Sequence, residues 1–146
     1  MENNKISLMD AYMIETLRSS GISNEEMVVL LEKKDISDLK RINKKFDFNN
    51  LLNLYEQDKD TFKSVLQDGY TVKFLTMNGL KNLLQMKFDK VAEKDYEISE
   101  TGIHRLEIET QKFPALQQLL SINWLIEEQT DTNIDPSIKI VNIQIV

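Results

Sequence analysis

Tyr96-Glu97-Ile98-Ser99-Glu100-Thr101-Gly102-Ile103-His104-Arg105-Leu106-Glu107-Ile108-Glu109 is the stretch on which the fold turns. Its two ends, Tyr96–Ile98 and Ile103–Glu109, set β-branched and aromatic residues among polar ones, the pattern of strands with one buried face. Ser99–Gly102 between them is turn chemistry, with Gly102 where a positive φ is wanted. A β-hairpin is expected here.

The flanks extend that reading. Upstream, Thr71-Val72-Lys73-Phe74-Leu75 is β-rich and reads as a short strand. Thr76 then caps a helix through Phe88, striped by Met77, Leu80, Leu84 and Phe88. Downstream, Pro114 suits the first turn of a helix running to about Glu128, with Leu116, Leu120 and Trp124 at four-residue spacing. Thr130–Pro136 is a polar turn before a last strand, Ile138–Val146. The order strand, helix, strand, strand, helix, strand is that of a ferredoxin-like βαββαβ unit over 71–146. Right-handed crossovers would place both helices on one face of a four-stranded antiparallel sheet. The alternative parse is a winged helix-turn-helix, with 76–88 as recognition helix and 96–108 as wing. Glu97, Glu100, Glu107 and Glu109 on that wing would repel phosphates.

Residues 1–68 read as a helical segment. A first helix near 7–20 carries Leu8, Met9, Tyr12, Met13, Ile14 and Leu17 and stops at Gly21. Ser23 stands three residues before Glu26, the pattern of a capping box opening a second helix. Asp35 is the expected cap of a third helix, striped by Ile36, Leu39, Ile42 and Phe46. A single longer helix is expected from about 48 to 67. The fold class is therefore α+β, with the helical segment and the βαββαβ unit packed as one compact domain.

Composition limits the chemistry. The 146 residues include no cysteine, which excludes disulfides, thiolate zinc sites and cysteine nucleophiles. Met1–Lys5 is polar, and no apolar run approaches the roughly 20 residues that span a bilayer, so a cytoplasmic location and no membrane partner are expected. The net charge of −6 disfavours nucleic acid. All four glycines stand alone, so no phosphate-cradling loop is present. His104 is the only histidine and lies in an expected strand without a nucleophile elbow. Glu107 and Glu109 share a strand face as an acidic pair of the kind that holds a hard cation; such pairs are ordinary on exposed strands. No catalytic residue, metal, cofactor or small-molecule substrate is assigned, and the chain is read as not an enzyme. Trp124 is read as core, with an interface anchor as the alternative.

The stretch Leu17–Lys34, Leu-Arg-Ser-Ser-Gly-Ile-Ser-Asn-Glu-Glu-Met-Val-Val-Leu-Leu-Glu-Lys-Lys, resembles the helical hook of the Sin repressor and anti-repressor family. The matching residues are Gly21, Ile22, Ser23, Glu25, Glu26, Met27, Leu30 and Leu31. The family's early aromatic falls at Asp10 here, with Tyr12 offset. The resemblance implies helix-mediated dimerisation or capture of a partner regulator through Ile22, Met27, Leu30 and Leu31. The same region also permits a DNA-binding helix-turn-helix, with helices at 12–20, 24–33 and 36–46. Lys40, Arg41, Lys44 and Lys45 would then contact DNA. The expectation carried forward is a small regulatory protein that binds another protein or itself, possible action on a transcriptional regulator included, with transcription regulation by direct DNA binding as the alternative.

Overall fold

The computed structural model describes residues 4–34, 37–42, 46–129 and 136–146. Helix α1 spans Leu8–Ser19, capped by Ser7, whose hydroxyl accepts from the Asp10 backbone N–H. Gly21 follows at φ 92°, a conformation glycine takes without a Cβ clash. Helix α2 spans Asn24–Glu32, and the capping box forms as the sequence predicts. Ser23 Oγ accepts from Glu26 N–H, and the Glu26 carboxylate accepts from Ser23 N–H. Helix α3 is short, Ser37–Ile42; Asp35 and Ile36 lie outside the described residues.

The single helix expected from 48 to 67 is two helices, α4 at Asn49–Gln57 and α5 at Lys59–Asp68. Asp58 breaks it. Its backbone is extended (φ −159°, ψ 95°), and its carboxylate accepts from both the backbone N–H and the hydroxyl of Thr61. A side chain that caps a new first turn competes with continuing the old helix. Tyr55 and Phe62 meet edge to face across the break, 5.4 Å between centroids, so both helices keep one shared apolar face.

Two residues, Lys5–Ile6 (β1), pair in parallel with Thr71–Val72 (β2). Helix α6, Met77–Phe88, is capped by Thr76 as expected and lies against α1. The hairpin follows, β3 at Glu97–Ile98 and β4 at Gly102–Glu109. A 3-10 turn at Thr110–Lys112 leads into α7, Phe113–Leu119. The chain closes with β5, Trp124–Gln129, and β6, Ile138–Ile145. Among the described residues no helix is long and apolar enough to cross a membrane.

The α+β class stands, with helices first and a four-stranded antiparallel sheet last. The ferredoxin-like order does not: the sheet runs β3-β4-β6-β5, and β2 lies outside it. The expected helix over 114–128 ends at Leu120, whose ψ of 130° is extended. Ser121 hydrogen-bonds Asn123, and the Asn123 amide and the Trp124 indole both donate to the Leu75 carbonyl, at 3.2 and 2.8 Å. These side-chain bonds end the helix, and β6 offers residues 124–129 a full ladder. The winged parse also gives way. Its wing is half of a larger sheet, because β4 pairs with β6 along most of its length. Its recognition helix is committed to the core side, where Lys87 binds Glu15 and Asn82 donates to the Tyr12 hydroxyl.

Gly102 does not take the positive φ expected of a turn glycine; it is the first residue of β4. What it supplies is space. A Cβ there would stand 2.2 Å from the Ile143 carbonyl oxygen. One face of the sheet is dry: Ile103, Leu106, Ile108, Val141 and Ile143 join a single apolar cluster that reaches back through α6 and α7 to α1. The other face is open to solvent, the arrangement antiparallel sheets tolerate.

Candidate interaction surface

The hook residues divide once folded. Met27 and Leu31 are fully buried in the protein's own core. Ile22 and Leu30 are half-buried and packed against it. The two helices expected here are present, and Met27 and Leu31 are core residues on this fold. Helix α2 packs on α5, which accounts for the burial of these two residues. Of the basic residues, Lys40 and Arg41 are exposed on α3, where Arg41 lies 3.7 Å from Asp38. Lys44 and Lys45 lie outside the described residues. His104 is half-exposed, its Nε2 2.9 Å from Ser99 Oγ, a bond within the hairpin turn. Glu109 lies 3.4 Å from Lys90 and 3.8 Å from Lys112. A hydrogen bond within its own backbone unit, aided by those two lysines, holds its carboxyl below the usual range. Among the described residues no group of three side chains is placed to hold a metal ion.

The surface that stands out lies elsewhere. Ile122 is 95% exposed and Phe74 75% exposed, and both flank the junction where Ser121, Asn123 and Trp124 bind the backbone of Leu75. Leu125, at the start of β5, and Ile145, paired with Trp124 at the end of β6, are each about half exposed. Large apolar side chains left in water at one end of a domain mark a contact surface more often than chance exposure does. Hydrogen bonds fix the backbone next to them. Trp124 is buried, its indole bonded, and the Val146 N–H donates to the Asn123 carbonyl.

This apolar corner continues onto the open face of the sheet and onto β5, which among the described residues pairs with β6 alone. Register assigns the faces. Trp124, Ile126 and Glu128 lie opposite Ile145, Ile143 and Val141 on the core side; Leu125, Glu127 and Gln129 lie opposite Gln144, Asn142 and Ile140 on the open side. Across that open face stand Glu97, Glu107 and Glu127, all exposed, with the half-buried Ile138 and Ile140 between them. None of those three glutamates forms an ion pair among the described residues. Glu128, on the other side, pairs with Lys139 at 2.8 Å.

Sequence reading missed this surface because it placed Trp124 and its neighbours on a helix. The usable signal was the short apolar run Trp124-Leu125-Ile126, which fits a strand as well as a helix. The described residues also hold a polar knot in the interior. Glu15 binds Tyr70, Lys87 and Arg18, and Arg18 and Asn24 both donate to the Leu66 carbonyl. Burial pushes the Tyr70 phenol up and the Lys87 ammonium down from their ordinary ranges, with Glu15 adding to the first and opposing the second. With every charged member satisfied by another, the knot fastens α1 to α6. No protein-family model matches this chain, and searches of curated proteins and of solved structures find no match either.

Proposed function

We propose that this chain is a non-catalytic regulatory protein that acts by contact with another protein, and that the contact surface is the apolar corner of Phe74, Ile122, Leu125 and Ile145. The observation that carries the reading is the high exposure of Ile122 and Phe74 on a junction held by three side chain–backbone hydrogen bonds and the Ser121–Asn123 pair. Rigid exposed apolar groups bind without a large ordering cost. The reading keeps the protein–protein mode implied by the hook and moves it from α2, whose best apolar residues are internal, to the sheet.

The test is affinity capture from the native host, run in parallel with wild type and with Phe74→Ser/Ile122→Ser. Both side chains are exposed, so the variant should keep a native circular dichroism spectrum and melting temperature. The reading expects specific proteins retained by wild type and lost by the variant. The same set on both columns, or none on either, would overturn it.

A further inference from the structure

We infer that the partner engages this surface with an extended segment that adds to the free edge of β5, and that this segment carries Lys or Arg alternating with apolar residues. The inference rests on the proposed function and names the partner's chemistry. It starts from which backbone groups of β5 are free. Val146 N–H donates to Asn123 C=O, so this opposed pair is a hydrogen-bonded one. Antiparallel pairs alternate, so Leu125, Glu127 and Gln129 turn their backbone groups toward β6. The same alternation on β6 sends Ile145 to the other side, where its N–H donates to Thr101 C=O, so the register is consistent across the sheet. The N–H and C=O of Ile126 and Glu128 therefore point outward.

Among the described residues the edge is uncovered as well as unpaired: Leu125, Glu127, Glu128 and Gln129 are all exposed. An open edge with an apolar beginning and exposed flanks is a template for strand addition, in which main-chain bonds give affinity and alternate side chains give specificity. Charge selects among occupants. Glu127 stands on the open face beside the edge, with Glu107 and Glu97 further across the same face. The chain as a whole carries −6. A strand with Lys or Arg at alternate positions would set its cations over Glu127 and its apolar residues against Ile126 and Trp124 on the core side. A second copy of this chain fits poorly. Pairing two β5 edges would bring Glu127 and Glu128 of both copies into one short ribbon, and like charges at that range repel.

The experiment uses the full chain and two synthetic octapeptides, one alternating Lys and Val, the other alternating Glu and Val. Binding is followed by amide hydrogen exchange and by titration. The basic peptide should bind saturably and slow exchange at Ile126 and Glu128, and the acidic one should not. Glu128→Pro supplies the decisive variant. Its N–H points away from β6, so proline there removes no ladder bond and blocks the edge, as prolines on natural edge strands do. It should weaken the basic peptide by about tenfold or more, whereas Glu128→Gln should weaken it far less. No protection at Ile126 and Glu128, equal binding of the two peptides, or unchanged binding by a folded Glu128→Pro would each overturn the inference. So would a self-associated form that Glu128→Pro dissociates, because a second copy would then hold the edge. If Phe74→Ser/Ile122→Ser abolishes capture of host proteins and Glu128→Pro leaves it intact, the proposed function survives and strand addition does not.

Discussion

The Tyr70 hydroxyl donates a 2.5 Å hydrogen bond to the carboxylate of Glu15, a side chain with 2% of its surface exposed. The same oxygen accepts from Lys87 at 3.0 Å and lies 3.2 Å from Arg18. Two cations therefore share one buried anion, and the Lys87 ammonium also stands 4.8 Å above the Tyr70 ring.

Removing that anion leaves two cations facing one another in a partly dry site. Glu15→Gln should destabilise the fold by roughly 2–4 kcal/mol, below the range for fully buried pairs because Arg18 and Lys87 keep some solvent contact. Chemical denaturation measures it. Adding Lys87→Met should recover part of the loss; a double variant no better than the single one would show that the knot is not electrostatic.

A second phenol–carboxylate pair joins α4 to α2, where Tyr55 donates to Glu32, which also accepts from Lys59 at 3.0 Å. The bond to Glu32 pushes the Tyr55 phenol up to about 12 and holds the Glu32 carboxyl below its ordinary value, Lys59 assisting. The signs follow. Tyr55 contributes stability that is complete below the ordinary tyrosine range and is lost as pH rises through about 12. Glu32 contributes stability present above the ordinary glutamate range and lost as pH falls through its lowered value. Tyr55→Phe should remove a tyrosinate absorbance step near pH 12 and move Glu32 back toward its usual range by NMR titration. An unmoved Glu32 would contradict the pairing.

Two glycines should respond in different ways. Gly102→Ala puts a methyl 2.2 Å from the Ile143 carbonyl oxygen where β4 begins to pair with β6. Overpacking of that kind costs roughly 1–3 kcal/mol. Gly21→Ala meets no atom within 4 Å but must hold φ at 92°, a strain of about 1 kcal/mol. Urea midpoints for both variants should therefore fall, Gly102→Ala further; the reverse order would misplace the β4–β6 register.

Legibility followed the range of the interactions. Elements closed by neighbours in sequence were readable: the Ser23–Glu26 capping box, the Gly21 stop, the Thr76 cap and the 96–109 hairpin all form where the residues predict them. Asp58 was legible in principle, since a carboxylate three residues before Thr61 is a capping signal, but the stripe through Tyr55 and Phe62 runs across it unbroken. Residues 120–129 were not readable locally. Leu116, Leu120 and Trp124 keep helical spacing, and what makes a strand of Trp124–Gln129 is β6 and the Leu75 carbonyl, both distant in sequence. The same distance explains the site. Met27 and Leu31 look like a free apolar pair until α5 is packed on α2, and the segments of Ile122 and Phe74 are joined only by the long-range bonds of Ser121, Asn123 and Trp124 to Leu75.

Where the partner sits can be read directly by one measurement. Isotope-labelled protein is added to unlabelled lysate of its native host, and backbone amide signals are compared with those in buffer. Signals from Phe74, Ile122, Leu125, Ile126 and Glu128 should be lost or move, with Asn24–Leu31, Lys40 and Arg41 unchanged. Perturbation confined to Asn24–Leu31, or to Lys40 and Arg41, with the sheet signals unmoved, would contradict this placement.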